Sequence, residues 1–136
     1  MTRMYRKRYK GFVIWLIVFL ILIFAICFLP VEDAAIMTRL LTNLCTLGMA
    51  HLTWLIWRTE HIYWYNSISF EEAEQAGTER RKAYALRHFR LFGGYALVAL
   101  VVTVAAQLLH LPWWVDFTLV CGGLIAAAFH TLAYKL

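Results

Sequence analysis

Residues 11–29 carry no charged side chain and only one mildly polar one, Cys27. A helix that crosses ~30 Å of hydrocarbon needs about 20 such residues at ~1.5 Å of rise each. A helix on a soluble core would instead show polar positions on every turn. The run therefore fits a lipid bilayer, where a single segment must satisfy its own backbone as a helix. Composition agrees: 62% of the chain is hydrophobic, against roughly 45–50% apolar in soluble domains. The segment is longer than the 7–15 residues of a secretory signal core, and no A-x-A-like site follows Pro30. It is expected to remain as an uncleaved signal anchor.

Three more apolar stretches follow, giving expected spans at about 11–29, 36–57, 91–111 and 113–134, with a polar segment at 58–90 between the second and third. The second is the most polar, with Arg39, Asn43, His51 and four threonines, and Trp54, Trp57 and Arg58 mark its end. Spans three and four are separated only by Pro112, so they must be antiparallel neighbours. The expected fold class is all-α: an integral-membrane four-helix bundle forming one transmembrane domain over residues 1–136.

The net charge of +5 is unevenly placed. Arg3, Arg6, Lys7, Arg8 and Lys10 precede the first span, six more basic residues lie in the middle segment, and Lys135 closes the last. The opposite loops carry Glu32, Asp33 and Asp116. This is the positive-inside pattern, and it predicts that both termini are cytoplasmic. Membrane topology accounts for the basic residues, so no nucleic acid is expected as a partner.

Within the middle segment, Asn66-Ser67 reads as a turn and Ser69-Phe-Glu-Glu72 as a capping box. Gly77 suggests a break, and Thr78 can cap a second start. Residues 79–92 mix Arg80, Arg81, Lys82, Arg87 and Arg90 with Ala83, Leu86, Phe89 and Phe92. At helical spacing this predicts a cytoplasmic amphipathic helix lying at the membrane surface. His61 and His88 are expected to be solvated, and Glu71, Glu72, Glu74 and Glu79 to form a solvated charged face.

Ionisable groups at membrane depth cost about 2.5–3.5 kcal/mol on insertion scales, so each needs a partner or a purpose. Arg39 and Asp116 fall at similar depth near the outer ends of spans two and four, where an ion pair between them would staple the two helices. Asn43 is one turn deeper than Arg39, and Thr103, Gln107 and His110 share a face of span three. Arg39, Asn43, Gln107, His110 and Asp116 are therefore the candidate ligand-binding residues of an outer-leaflet pocket. The alternative is that both charges snorkel to the headgroups while the amides tie helices together.

His51 and His130 lie at nearly matched depth in the inner half, as the axial pair of a b-type haem would. Hydrogen bonding between helices or contact with the interface is the more usual account of such a pair, and neither cofactor nor metal is expected. Cys27, Cys45 and Cys121 lack ligand spacing and read as small packing residues. Gly122, Gly123, Ala126 and Ala127 form two small-xxx-small pairs, which suit either internal packing or a homodimer seam. No catalytic motif is present: there is no HExxH, phosphate loop or nucleophile–base spacing.

The loop Tyr65-Asn66-Ser67-Ile68-Ser69-Phe70-Glu71-Glu72 resembles one in a family of small bacterial integral-membrane proteins of unknown function. There an Asn-Thr-Met-Ser-x-Glu-Glu-like loop joins two spans and leads into a short polar helix. Ser67 and Ile68 stand here for Thr and Met, and Trp64 for a Gly. The resemblance covers about thirty residues and implies a bacterial inner (plasma) membrane protein, without implying an activity. The expected function is that of a non-enzymatic accessory subunit, set in the lipid bilayer, that binds itself or another membrane protein. The competing readings are a small oligomeric transporter or channel using the outer pocket, and a membrane enzyme acting on lipid.

Overall fold

The computed structural model describes residues 5–65 and 67–136. Arg3 of the basic tail and Asn66 of the expected turn lie outside the described residues. The described chain is helical: α1 (Lys10–Cys27), α2 (Ala34–Thr59), a 3-10 turn (Ile62–Trp64), α3 (Phe70–Leu108) and α4 (Trp113–Thr131). All four α-helices are long and apolar enough to cross a membrane.

Local chemistry sets most of the boundaries. Asp33 caps α2 by accepting from the backbone N–H groups of Ala35 and Ile36, at 2.7 and 3.4 Å. Thr59 is the last residue of α2 because Glu60 adopts a left-handed conformation, φ 62°. Ser69 and Glu72 form the complete capping box at the start of α3. At its other end α3 closes in a Schellman turn: Leu111 N–H donates to Ala106 O and His110 N–H to Gln107 O. His110 fills the left-handed position of that turn, φ 51°. Pro112, which cannot extend a helix, then opens α4.

Several span boundaries shift accordingly. Leu29 lies beyond the end of α1, α2 runs longer than residues 36–57, and α3 stops at Leu108 rather than 111. α4 ends at Thr131 rather than 134, which frees Tyr134 to pack elsewhere.

The helices run up and down. Trp15 meets His51 and Phe19 meets Gly48 across α1 and α2. Trp57, Asn43 and Arg39 of α2 meet Phe89, Thr103 and Gln107 of α3. Tyr95 of α3 meets Val120 and Gly123 of α4. In the first two pairs one sequence number rises as the other falls, so both are antiparallel, and the short turn between Leu108 and Trp113 makes α3 and α4 antiparallel as well. α2, α3 and α4 form the packed bundle, while α1 leans on α2 and, at its first turn, on Trp64, and contributes no buried residue.

α2 tolerates its polar content because its hydroxyls bond back into the helix. Thr38, Thr42, Thr46 and Thr53 each donate to a carbonyl three or four residues earlier. Each donor is thereby satisfied without water, as hydrocarbon requires.

The middle segment departs from expectation. Gly77, at φ 74° and ψ 165°, kinks α3 between residues 70–76 and 78–108. The longer arm is continuous, about 46 Å at ~1.5 Å per residue, against ~30 Å of hydrocarbon. The basic stretch 79–92 is thus continuous with the apolar part of this helix, which overhangs the length a crossing needs, rather than a separate helix. Its carboxylates Glu71, Glu72, Glu74 and Glu79 are exposed, as expected.

This overhang builds the main hydrophobic cluster of the molecule. Ile56, Ile62, Tyr63, Ala73, Tyr84 and Ala85 are buried together, with Tyr5, Tyr134 and Leu136 packed against them. Both ends of the described chain therefore meet at one end of the bundle, here called the capped end. The expectation of solvated histidines fails there. His88 is 2% exposed, stacked on Tyr65 with ring centroids 4.2 Å apart and edge-on to Tyr134 at 5.1 Å. His61 is half-buried among Tyr5, Tyr63 and Trp64, and burial beside Arg8 lowers its pKa.

Candidate functional site

Arg39 lies on the second turn of α2, directed at the gap between α3 and α4. Three groups converge on it. The Schellman turn after α3 presents the Leu111 carbonyl, which accepts from Nη2 at 2.9 Å. Gln107, on the last turn of α3, accepts from Nη1 through Oε1. Pro112 starts α4 so that Asp116 falls in its first turn. Its carboxylate accepts from Nε at 2.9 Å and from Nη2 at 3.2 Å, a bidentate pair.

Four of the five guanidinium N–H donors are thus engaged by protein groups, and the pair is deeply placed: Arg39 is 8% and Asp116 2% exposed. Asn43 sits one turn further along α2. Its Nδ2 donates to the Arg39 carbonyl at 2.8 Å and to Thr103 Oγ1 at 2.9 Å. Asn43 Oδ1 is buried without a partner, the only unmatched acceptor of the cluster among the described residues.

Of the five candidate residues, the structure brings together Arg39, Asn43, Gln107 and Asp116. His110 is excluded. It occupies the left-handed position of the Schellman turn and is exposed, so the i, i+3 relation to Gln107 that placed it on the shared face no longer applies. The Leu111 carbonyl takes its place, a backbone group that side-chain spacing could not single out. Pro112 following a helix end was the available signal.

The two glycine pairs separate. Gly123 is covered by Tyr95, whose hydroxyl oxygen would meet an added Cβ at 2.5 Å and whose ring would meet it at 2.8 Å, and Ala127 is buried on the same face. Tyr95 hydroxyl donates to the Val120 carbonyl beside them. Gly122 has nothing within 4 Å of an added Cβ, and both it and Ala126 are exposed. One pair is an internal α3–α4 contact, and the other faces outward.

The two histidines of the expected haem pair have different neighbours. Trp15 Nε1 donates to His51 Nδ1 at 3.0 Å, tying α1 to α2. His130 is exposed at the end of α4, edge-on to Tyr134 at 5.4 Å. Among the described residues, no three His, Cys, Asp or Glu side chains are gathered as a metal ion requires. The three cysteines are free, with Cys27 exposed and Cys45 and Cys121 partly covered.

A second constellation at the capped end was not legible from spacing. Arg81 is 7% exposed and donates to Glu60 Oε2 from Nε at 3.2 Å and Nη2 at 3.0 Å. Its Nη1 donates to Ala73 O at 3.1 Å and its Nη2 to Thr78 Oγ1 at 3.0 Å. The guanidinium lies 4.1 Å from the Tyr5 ring centroid, and Tyr5 hydroxyl donates to Glu60 O at 2.7 Å. One arginine thus ties the chain start, the end of α2 and both sides of the Gly77 kink.

No protein-family model, curated protein or solved structure matches this chain.

Proposed function

We propose that this chain is a small multi-pass protein of a bacterial inner (plasma) membrane, with both termini cytoplasmic, acting as a non-enzymatic accessory that binds another membrane protein or a second copy of itself. The carrying observation is α1. Every residue of this 18-residue helix keeps some exposure, and it touches the bundle along one edge. A helix held so loosely adds little to the stability of its own bundle, and its remaining surface is free to pack on another. The outward Gly122 and Ala126 give α4 a second face that a neighbouring helix can approach closely.

The polar cluster supports the same reading. With four guanidinium donors and both Asp116 oxygens engaged by the protein itself, Arg39 acts as a staple between α2, α3 and α4. The cytoplasmic placement of the capped end rests on Arg6, Lys7, Arg8, Arg58 and the overhang of α3, opposite Glu32 and Asp33.

Purification of the intact chain in mild detergent tests the proposal. A stoichiometric complex, lost when Leu20 and Phe24 on the exposed face of α1 are replaced by alanine, is the expected result. A chain that runs as an isolated monomer under all mild conditions contradicts it.

One observation favours a second reading, a small oligomeric transporter or channel. The unmatched Asn43 Oδ1 is an acceptor beside the staple, where a permeating donor or water would find a partner. Flux in proteoliposomes that Asn43→Leu abolishes would establish this reading over the first.

A further inference from the structure

Between α1 and α2 runs a groove of about 510 Å³, within the ~300–1,000 Å³ range of small-molecule sites. On α1 it extends from Gly11 to Leu22 and on α2 from Leu55 back to Leu44. Eleven helical steps at ~1.5 Å give a length of roughly 17 Å, close to the ~15 Å of one leaflet, half of a ~30 Å core. One end of the slot therefore lies at the capped end, beside Trp64, and the other reaches about one leaflet's depth along the two helices.

Its walls are apolar except for one group. Trp15 Nε1–H donates to His51 Nδ1, so in that hydrogen bond Nδ1 bears no proton and the ring proton is on Nε2. His51 lines the groove, which places an N–H donor about one turn below the slot's mouth.

The mouth is basic. Lys10 adjoins Gly11, Arg58 lies one turn beyond Leu55, and Arg6, Lys7 and Arg8 precede them, all exposed. The nearby carboxylate, Glu60, is already paired with Arg81 and Lys82.

α1 and α2 are joined by the Trp15–His51 bond and by Phe19 seated over Gly48. The slot follows this line of contact, an elongated apolar shape that a flexible hydrocarbon chain can match.

We propose that the groove binds one acyl chain of an anionic phospholipid, with the headgroup held by Lys10 and Arg58. His51 Nε2–H donates to an ester or phosphate oxygen. Basic groups attract anionic lipid at such an interface, and the slot supplies the chain contacts that a basic surface alone lacks. The site is distinct from the Arg39 staple and requires no particular protein partner.

Native mass spectrometry of the intact chain, loaded with phosphatidylglycerol or phosphatidylcholine of identical acyl chains, provides the test. The expected result is one phosphatidylglycerol retained per chain at collision energies that strip phosphatidylcholine. Leu47→Trp fills the slot from its exposed wall and should lower retention about tenfold, near the effect of one buried side chain. Lys10→Gln with Arg58→Gln should lower it about fivefold per charge removed, with little loss of phosphatidylcholine. Should Leu47→Trp fail to fold, phosphatidylglycerol brominated along its chains gives an independent reading. It should quench tryptophan emission in the parent, and Trp15→Phe should remove part of that quenching. Equal retention of both lipids, unchanged retention in a folded Leu47→Trp chain, or quenching indifferent to Trp15→Phe would each overturn the proposal.

Discussion

Arg39 and Asp116 show how a buried ion pair behaves when its partners are complete. Desolvating both charges is costly, and the bidentate geometry with Gln107 and Leu111 offsets that cost only while both are present. Removing one partner leaves the other uncompensated. Asp116→Leu should therefore destabilise the bundle by roughly 3–5 kcal/mol, whereas Arg39→Met combined with Asp116→Leu should recover most or all of that loss. Thermal unfolding in detergent, followed by circular dichroism, measures both. A double variant no better than the single one would mean that the staple holds the fold through more than charge pairing. His61 gives a pH dependence of known sign. Burial lowers its pKa below the ordinary 6.5, so the unfolded chain binds the proton more readily. Its contribution is fully present above pH 6.5 and is lost as pH falls through that value towards the lower folded pKa. The Tm of the parent should drop over that interval, and His61→Phe should flatten the drop.

At the scale of elements, the kink in α3 depends on one residue. Gly77 at φ 74° and ψ 165° occupies a region that essentially only glycine adopts, although nothing lies within 4 Å of an added Cβ. Gly77→Ala should thus cost about 1–3 kcal/mol through backbone strain alone, with Tm falling and helix content unchanged. An equal Tm would mean that α3 straightens without penalty. The glycine was visible in the sequence as a break, and Ser69 with Glu72 as a helix start, because both signals act within a few residues. The continuity from Thr78 to Leu108 was hidden, since basic side chains and apolar ones change over gradually at residues 87–92. A surface helix and an overhanging span share that pattern until packing on Tyr63 and Ile56 selects between them.

Over the whole molecule, the four helices long and apolar enough to cross a membrane were legible because hydrocarbon imposes length and apolarity on each segment separately. The pairing of Arg39 with Asp116 was legible from depth alone. The cap was not. It joins Tyr5, Glu60, Arg81, His88 and Tyr134 from every part of the chain, and no local spacing relates them. His88 read as solvated because its neighbours Arg87 and Arg90 are charged, yet Tyr65 and Tyr134 cover it. His110 failed for the opposite reason: a helical register was extended one turn past the point where the backbone turned left-handed. The cap yields a prediction of its own. Arg8 O accepts from Tyr63 hydroxyl at 2.8 Å and Trp64 Nε1 at 3.0 Å, and Tyr5 supports Arg81. Deleting residues 1–8 should keep the helical content of all four spans but lower Tm and increase protease cleavage between residues 60 and 77. Unchanged cleavage would show that the chain start adds nothing to the cap.

The staple also sets a timetable for biogenesis. Asp116 follows Arg39 by 77 residues, and at roughly 5–20 residues per second that separation lasts about 4–15 s. Throughout that interval the second segment exists without its counter-ion, so its guanidinium must stay hydrated at the membrane edge or be sheltered by the insertion machinery. The bundle can lock only once the fourth segment arrives, which makes the last crossing the step that commits the first three.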